Sequence, residues 1–258
     1  KAALTDEASR TGCVRVILNF PQNPTGYSPT VREAEEIRGV IQGIAEGGAK
    51  ILVICDDAYF GLRFEDDIEP QSLFAYFADM HENIFAVKID GPTKEDFTWG
   101  LRCGFVTYGG KNLTAAHHDA LIKKTMAEVR STVSCSSTVG QSLLKNLYAA
   151  PGTAVQSEKE AFRNIIQARY KKVRAFVDTK KGRPSLCPLP FNSGYFMSFR
   201  CTAVNAEALR EKLLHRYGIG TIAIDDRTLR VAFSSLEDES IDIVYAAIYQ
   251  AAEELARG

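Results

Sequence analysis

The run Ile51-Leu52-Val53-Ile54-Cys55 is apolar at every position and passes straight into Asp56-Asp57-Ala58-Tyr59. A strand with one wet face alternates apolar and polar residues. An unbroken apolar run instead suits a strand covered on both faces of a parallel sheet. The sequence before it fits that reading. Val14-Arg15-Val16-Ile17-Leu18 is a short β-rich run ending in the turn cluster Pro21-Gln22-Asn23-Pro24-Thr25-Gly26. Ala34, Ile37, Val40, Ile41 and Ile44 then recur at helical spacing. Two signals compete to start that helix, Pro29 after Ser28 and the capping box Thr30-x-x-Glu33. Gly47-Gly48 stops it.

Strand and helix go on alternating. Ile84–Val87 and Gly104–Tyr108 read as strands, and helical patterns lie near 112–129 and 137–149, separated by the Ser/Thr-rich stretch 131–138. Pro151-Gly152 punctuates the chain, and a long helical pattern runs from about Ala154 to Lys181. Beyond it the sequence predicts a strand over Gly194–Phe199, a helix over Ala206–Tyr217, a strand pair near Thr221–Ile224 and Leu229–Phe233, and a terminal amphipathic helix through Leu255. The expectation is an α/β fold: a mostly parallel sheet flanked by helices over residues 1–165, then a smaller C-terminal α+β domain over 166–258.

Composition narrows the function classes. With 31 basic and 32 acidic residues the formal net charge is −1, which argues against nucleic acid or an anionic membrane as the main partner. No apolar stretch approaches the length of a membrane span. Six cysteines without C-x-x-C spacing read as reduced thiols of a cytoplasmic protein, and four histidines show no metal-ligand spacing.

Four polar motifs stand out: Asn23-Pro24-Thr25-Gly26, Asp56-x-x-Tyr59, Lys94 with Arg102 eight residues later, and Leu229-Arg230-Val231-Ala232-Phe233. The first three each follow a predicted strand. In an open α/β sheet the ligand crevice lies at the carboxyl ends of the strands, so three such motifs are expected to converge. Taken singly each has a plain structural reading. Asn-Pro-Thr-Gly makes a good turn, Asp56 a helix N-cap, Lys94 a solvated lysine and Arg230 a satisfied edge charge. Their joint occurrence, in order and in suitable contexts, is what carries weight.

The stretch Gly91-Pro92-Thr93-Lys94-Glu95, followed by Trp99-Gly100-Leu101-Arg102-Cys103-Gly104-Phe105, resembles the Ser/Thr-Lys loop and Gly-x-Arg-x-Gly motif of the class I/II aminotransferases, a branch of the fold-type-I pyridoxal-5′-phosphate (PLP) enzymes. The resemblance extends from about residue 14 to the C-terminus. It implies that Lys94 forms the internal aldimine with PLP and afterwards moves the substrate proton. Asp56 would hold the pyridine nitrogen protonated, which makes the ring the better electron sink. Asn23 and Tyr59 would hydrogen-bond the ring phenolate. Arg102, with Thr93, would take the cofactor phosphate, and Arg230 would grip the substrate α-carboxylate with its planar fork. The implied function is amino-group transfer between an amino acid and a 2-oxo acid in a homodimer of amino-acid metabolism, with no metal. A cis Asn23–Pro24 bond is implied as well.

The sequence departs from that pattern in two places. Gly91 stands where the family has Ser or Thr, so Thr93 would take over a phosphate contact. The Gly/Ser-rich phosphate loop, the ring-stacking aromatic and the N-terminal arm of such enzymes have no counterpart in Lys1–Gly12. The expectation is therefore a portion of a longer enzyme that lacks the N-terminal part. Other fold-type-I chemistries, a β-lyase or a decarboxylase, share Lys94, Asp56 and Arg102, while Arg230 favours reactions that keep the α-carboxylate. A non-catalytic fragment that retains the fold is the alternative from another class. A P-loop is excluded, because Gly91–Lys94 lacks the G-x-x-x-x-G-K-[ST] frame.

Overall fold

A computed structural model describes residues 1–149, 153–180, 182 and 185–257. Pro151-Gly152 and Lys181, read above as punctuation and as a helix end, lie outside the described residues. The chain forms two compact units. The first comprises Lys1–Phe20, Pro29–Gly61 and Asp67–Lys159; the second comprises Pro21–Ser28, Leu62–Asp66 and Glu160–Gly258.

The first unit runs α1 (Ala2–Thr11), β1 (Cys13–Asn19), α2 (Val31–Glu46), β2 (Lys50–Asp56), α3 (Phe74–Phe77), β3 (Ile84–Asp90), α4 (Pro92–Glu95), β4 (Phe105–Gly109), α5 (Ala115–Thr132) and α6 (Thr138–Ala149). Its sheet has the order β1-β2-β3-β4, with β1, β2 and β3 parallel and β4 antiparallel to β3. The sequence showed no sign of α1, because Leu4 and Ala8 are too sparse a stripe, yet both pack against the core. Gly12 ends α1 in the left-handed region with φ 65°. For α2 the capping box prevails over Pro29. The Glu33 N–H donates to Thr30 Oγ1 at 3.2 Å and the Thr30 N–H to Glu33 Oε2 at 2.9 Å.

The core of this unit lies on one face of the sheet. Val14, Ile51, Val53, Cys55, Ile84 and Ala86 pack there with Ala34, Ile41 and Ala45 of α2 and with Phe77 of α3. Coverage of β2 on both faces, expected from its unbroken apolar run, is met on one face only. Leu52 and Ile54 are half-buried, and Ile17, which pairs with Ile54, is 67% exposed. The apolar run records the hydrophobicity of both faces, but the helices of the described core sit against one.

A long helix, α7 (Thr153–Asp178), leads into the second unit, which continues with β5 (Leu186–Pro188), β6 (Met197–Cys201), α8 (Ala206–Tyr217), β7 (Ile222–Asp225), β8 (Thr228–Val231) and α9 (Ile241–Arg257). Its sheet is antiparallel, in the order β5-β6-β8-β7. Met197, Phe199, Leu229 and Val231 are buried from the sheet, Leu209 and Leu213 from α8, and Ile241, Tyr245 and Ile248 from α9. The Phe199 ring meets Tyr245 at 6.2 Å in a tilted contact and Tyr249 at 5.4 Å edge-on, contacts that add to area burial. The strand expected from Gly194 begins at Met197, because Gly194 has φ 70° and belongs to the preceding turn. The strand expected to reach Phe233 stops at Val231, and Phe233–Ser235 forms a 3-10 turn.

The segment Pro21–Ser28 belongs to this second unit. Asn192 and Ser193 both donate their N–H to Gly26 O at 2.9 Å, and Ser198 Oγ donates to Pro24 O at 2.8 Å. The Asn23–Pro24 peptide is cis, as the resemblance implied.

Candidate active site

In the first unit the polar residues cluster at the carboxyl ends of the parallel strands. Asp56 is the last residue of β2, in register with Asn19 at the end of β1 and with Ile89 of β3. Asn19 Nδ2 donates to Asp56 O at 3.3 Å, and Asp56 Oδ1 accepts the Ala58 N–H at 3.2 Å. The chain then turns so that Tyr59 is buried. After β3, the single turn of α4 carries Thr93 and Lys94. Lys94 Nζ lies 4.8 Å from the centroid of the Tyr59 ring, a cation–π distance. Two residues from separate motifs, 35 positions apart, are thus brought together.

The loop after Lys94 is tightly packed. An added Cβ at Gly91 would lie 2.8 Å from Cys103 O and 3.1 Å from Gly104 Cα. This backbone has no room for the Ser or Thr of the related motif, so the departure at Gly91 has a steric cause. Arg102 sits in the left-handed region with φ 54°, its side chain exposed and Nη1 3.4 Å from Trp99 O. Gly140 of α6 packs on the same loop, where a Cβ would meet Leu101 O at 2.7 Å and Cys103 Sγ at 3.0 Å.

Beside this group lies a charged cluster that the sequence did not reveal. Lys88 is paired with Asp90 and lies 3.7 Å from the buried Asp57, and its ammonium stands 5.3 Å from the Phe60 ring centroid. Burial pushes the Asp57 carboxyl above its ordinary value despite Ser72 and Lys88. Burial would lower Lys88, but bonding to Asp90 and the charges of Asp90 and Asp57 outweigh it and hold its ammonium above the ordinary value. Burial also pushes the Cys55 thiol up to about 12, which leaves it an inert core residue.

The second unit brings together Asn23 and Arg230. Arg230 Nη1 donates to Asn23 Oδ1 at 2.8 Å, and its guanidinium stacks 4.4 Å from the Phe196 ring centroid. These two residues come from motifs 207 positions apart. Phe196 escaped sequence reading because nothing local distinguishes it from a core aromatic.

The strand ends of the first unit define an α/β fold with its polar residues at the crevice end of a mostly parallel sheet. The profile of the family "Aminotransferase class I and II" matches residues 1–248, and the chain belongs to that family. An aspartate aminotransferase of Thermococcus kodakarensis is 27% identical over 201 residues, covering 78% of this chain and 46% of the relative. A second, from a Bacillus species, is 27% identical over 186 residues, 71% and 41% of the two chains. Among solved structures, an aminotransferase from Anaerococcus prevotii superposes with a TM-score of 0.79 at 22% identity, over 97% of this chain and 59% of that one. LysN, an α-aminoadipate aminotransferase from Thermus thermophilus complexed with N-(5′-phosphopyridoxyl)-L-leucine, gives a TM-score of 0.76 at 19% identity, over 99% and 63%. The chain thus spans less than half the length of these curated relatives and about three-fifths of these solved chains.

Proposed function

We infer that this chain carries catalytic residues of a PLP-dependent aminotransferase that moves an amino group between an amino acid and a 2-oxo acid. The observation that carries the reading is the placement of Lys94 Nζ against the buried Tyr59 ring, just beyond the ends of β2 and β3. The donor set suits PLP chemically: an amine for its aldehyde, a carboxylate for its pyridine nitrogen, a phenol for its ring oxygen, and a guanidinium with a hydroxyl for its phosphate. PLP, when bound, supplies an electron sink for the charge that develops at the substrate Cα.

The chain's own groups take the remaining roles. Lys94 would hold the cofactor, and its amine, once released, would take the proton from the substrate Cα and deliver it to C4′ of the cofactor. Asp56 keeps a proton on the facing ring nitrogen through its negative charge. Tyr59 and Asn23 donate to the ring oxygen, and Arg102 with Thr93 neutralises the phosphate by charge-assisted hydrogen bonds. Arg230 binds the substrate carboxylate, its plane already set by Asn23 and Phe196. Homodimeric assembly and a cytoplasmic setting belong to the same proposal. Exposed Ile122, Met126, Val139 and Leu143 on α5 and α6 support the first, and free thiols at the described cysteines support the second.

Two variants of the complete protein test the roles. Lys94→Ala is expected to lower transamination by at least about 10²–10⁴-fold, the range for a general acid–base group, while some PLP binding persists through Arg102 and Asp56. Arg230→Ala is expected to keep the visible absorbance of bound PLP and to weaken amino-acid substrates. Near-normal turnover in the first, or loss of the absorbance with the fold intact in the second, would show that the roles are assigned wrongly.

A further inference from the structure

Lys94 is followed at once by two acids, Glu95 and Asp96, and neither is left to solvent. Lys159 of α7 stands 2.7 Å from Asp96 Oδ1 and 3.3 Å from Glu95 Oε1. Tyr148 of α6 donates its hydroxyl to Asp96 Oδ2 at 2.6 Å. Both Asp96 oxygens are therefore held, by residues 52 and 63 positions away. On the other side, Glu95 lies against Gly61, where an added Cβ would stand 3.4 Å from Glu95 Cγ.

An isolated surface ion pair contributes little to stability, and this one would carry no argument if it were exposed. The Asp96 side chain is 12% exposed and that of Lys159 29%, so the pair is only weakly screened by salt. The element it grips cannot hold itself. The α4 helix is one turn, too short to be stable alone; the Asp96 N–H reaches Pro92 O at an ordinary 3.0 Å, but the next bond, Phe97 N–H to Lys94 O, is long at 3.4 Å. Phe97 then takes a left-handed φ of 54°, a conformation that persists only where the surroundings enforce it.

Charge leads to the same conclusion. Two carboxylates within two residues of an ammonium would draw it toward themselves and away from the Tyr59 ring. Lys159 neutralises that attraction, and Tyr148 engages the remaining Asp96 oxygen. We propose that Lys159 and Tyr148 are positioning residues that clasp Glu95 and Asp96, fix the turn bearing Lys94, and neutralise the carboxylate charge beside its amine. This rests on the reading of Lys94 as the cofactor lysine.

The test uses the complete protein, first freed of PLP. The rate at which an amine-acylating reagent labels Lys94, read by peptide mass spectrometry at fixed pH, reports the reactive fraction of its amine without any turnover. Lys159→Met is expected to slow labelling about three- to tenfold, because the two carboxylates, no longer neutralised, then hold the amine. Lys159→Arg should restore the rate, and so should Asp96→Asn added to Lys159→Met, because the net charge beside Lys94 is then again that of the wild type. With PLP added, the balance of the two visible absorbance forms should move in Lys159→Met and return in both rescued proteins. If Lys159→Met proves unfolded, Tyr148→Phe is read in its place and should slow labelling about twofold or more. Wild-type labelling in the variant that is read, or failure of Asp96→Asn to restore it, overturns the proposal. If instead wild-type protein takes up PLP at a residue other than Lys94, the parent reading fails, and the labelling result still decides the clasp on its own.

Discussion

Single residues carry constraints here that composition hides. Gly26 has φ 74°, and a Cβ built there would lie 1.9 Å from Phe196 O and 3.0 Å from Ser193 O. Backbone contacts of that kind cannot be relieved by rotating a side chain. Gly26→Ala is therefore expected to destabilise the protein by about 2–4 kcal/mol, a strained left-handed alanine plus displaced backbone, measured by denaturant unfolding. A loss under about 0.5 kcal/mol would mean that the turn relaxes freely. The sequence marked Asn23–Gly26 as a turn of possible functional use, and no pattern in it could show that residues 192–198 close over it. Gly91 gives the converse lesson. Set beside the related motif it reads as a lost hydroxyl, whereas the neighbouring Cys103 carbonyl shows that a side chain has no space there.

At the scale of elements, the longer helices were readable because periodicity and caps agree: α2 opens on its capping box, and α8 matches the residues expected. What escaped were α1, with its sparse apolar stripe, the single turns α3 and α4, too short to show a period, and β5, three residues including a proline. Contacts between elements escaped as well, since no spacing in the sequence links Tyr148 or Lys159 to Asp96, or Arg230 to Asn23. A further link joins α8 to α9. Glu254 of α9 receives Lys212 at 2.9 Å, Gln250 at 3.0 Å, Tyr217 at 3.1 Å and Arg216 at 3.1 Å. Donation by Lys212 first, then Gln250 and Tyr217, with the charge of Arg216, holds its carboxyl at about 2, down from the ordinary 4.5. A folded value below the unfolded one gives stability that is fully present above pH 4.5 and lost as pH falls toward 2. The stability difference between wild type and Glu254→Gln should accordingly be constant above pH 5 (roughly, from that shift) and shrink steadily below it. A difference independent of pH down to about 2.5 would remove the link.

For the whole molecule, the sequence conveyed the class of fold and the motifs of the site but not how much apolar surface the described residues leave open. Among them no strand pairs with the outer edge of β1 or of β4, and Ile17, Ile89, Phe105 and Val106 are exposed on that sheet. Unpaired edges with apolar faces template association. A preparation of these 258 residues alone is expected to bind a hydrophobic dye and to self-associate with rising concentration, and Phe105→Lys with Val106→Lys should reduce both. A monomer that stays dye-negative at high concentration would contradict that expectation. The division of the chain has a consequence of another kind. Pro21–Ser28 and Leu62–Asp66 belong to the second unit although the sequence around them builds the first. A ribosome therefore delivers the opening pieces of the second unit long before the rest, and they must wait while the intervening strands assemble. Cutting the gene at the codon for Glu160 would keep every segment of the first unit in one half but would leave the second unit divided, with Pro21–Ser28 and Leu62–Asp66 encoded apart from the rest of it.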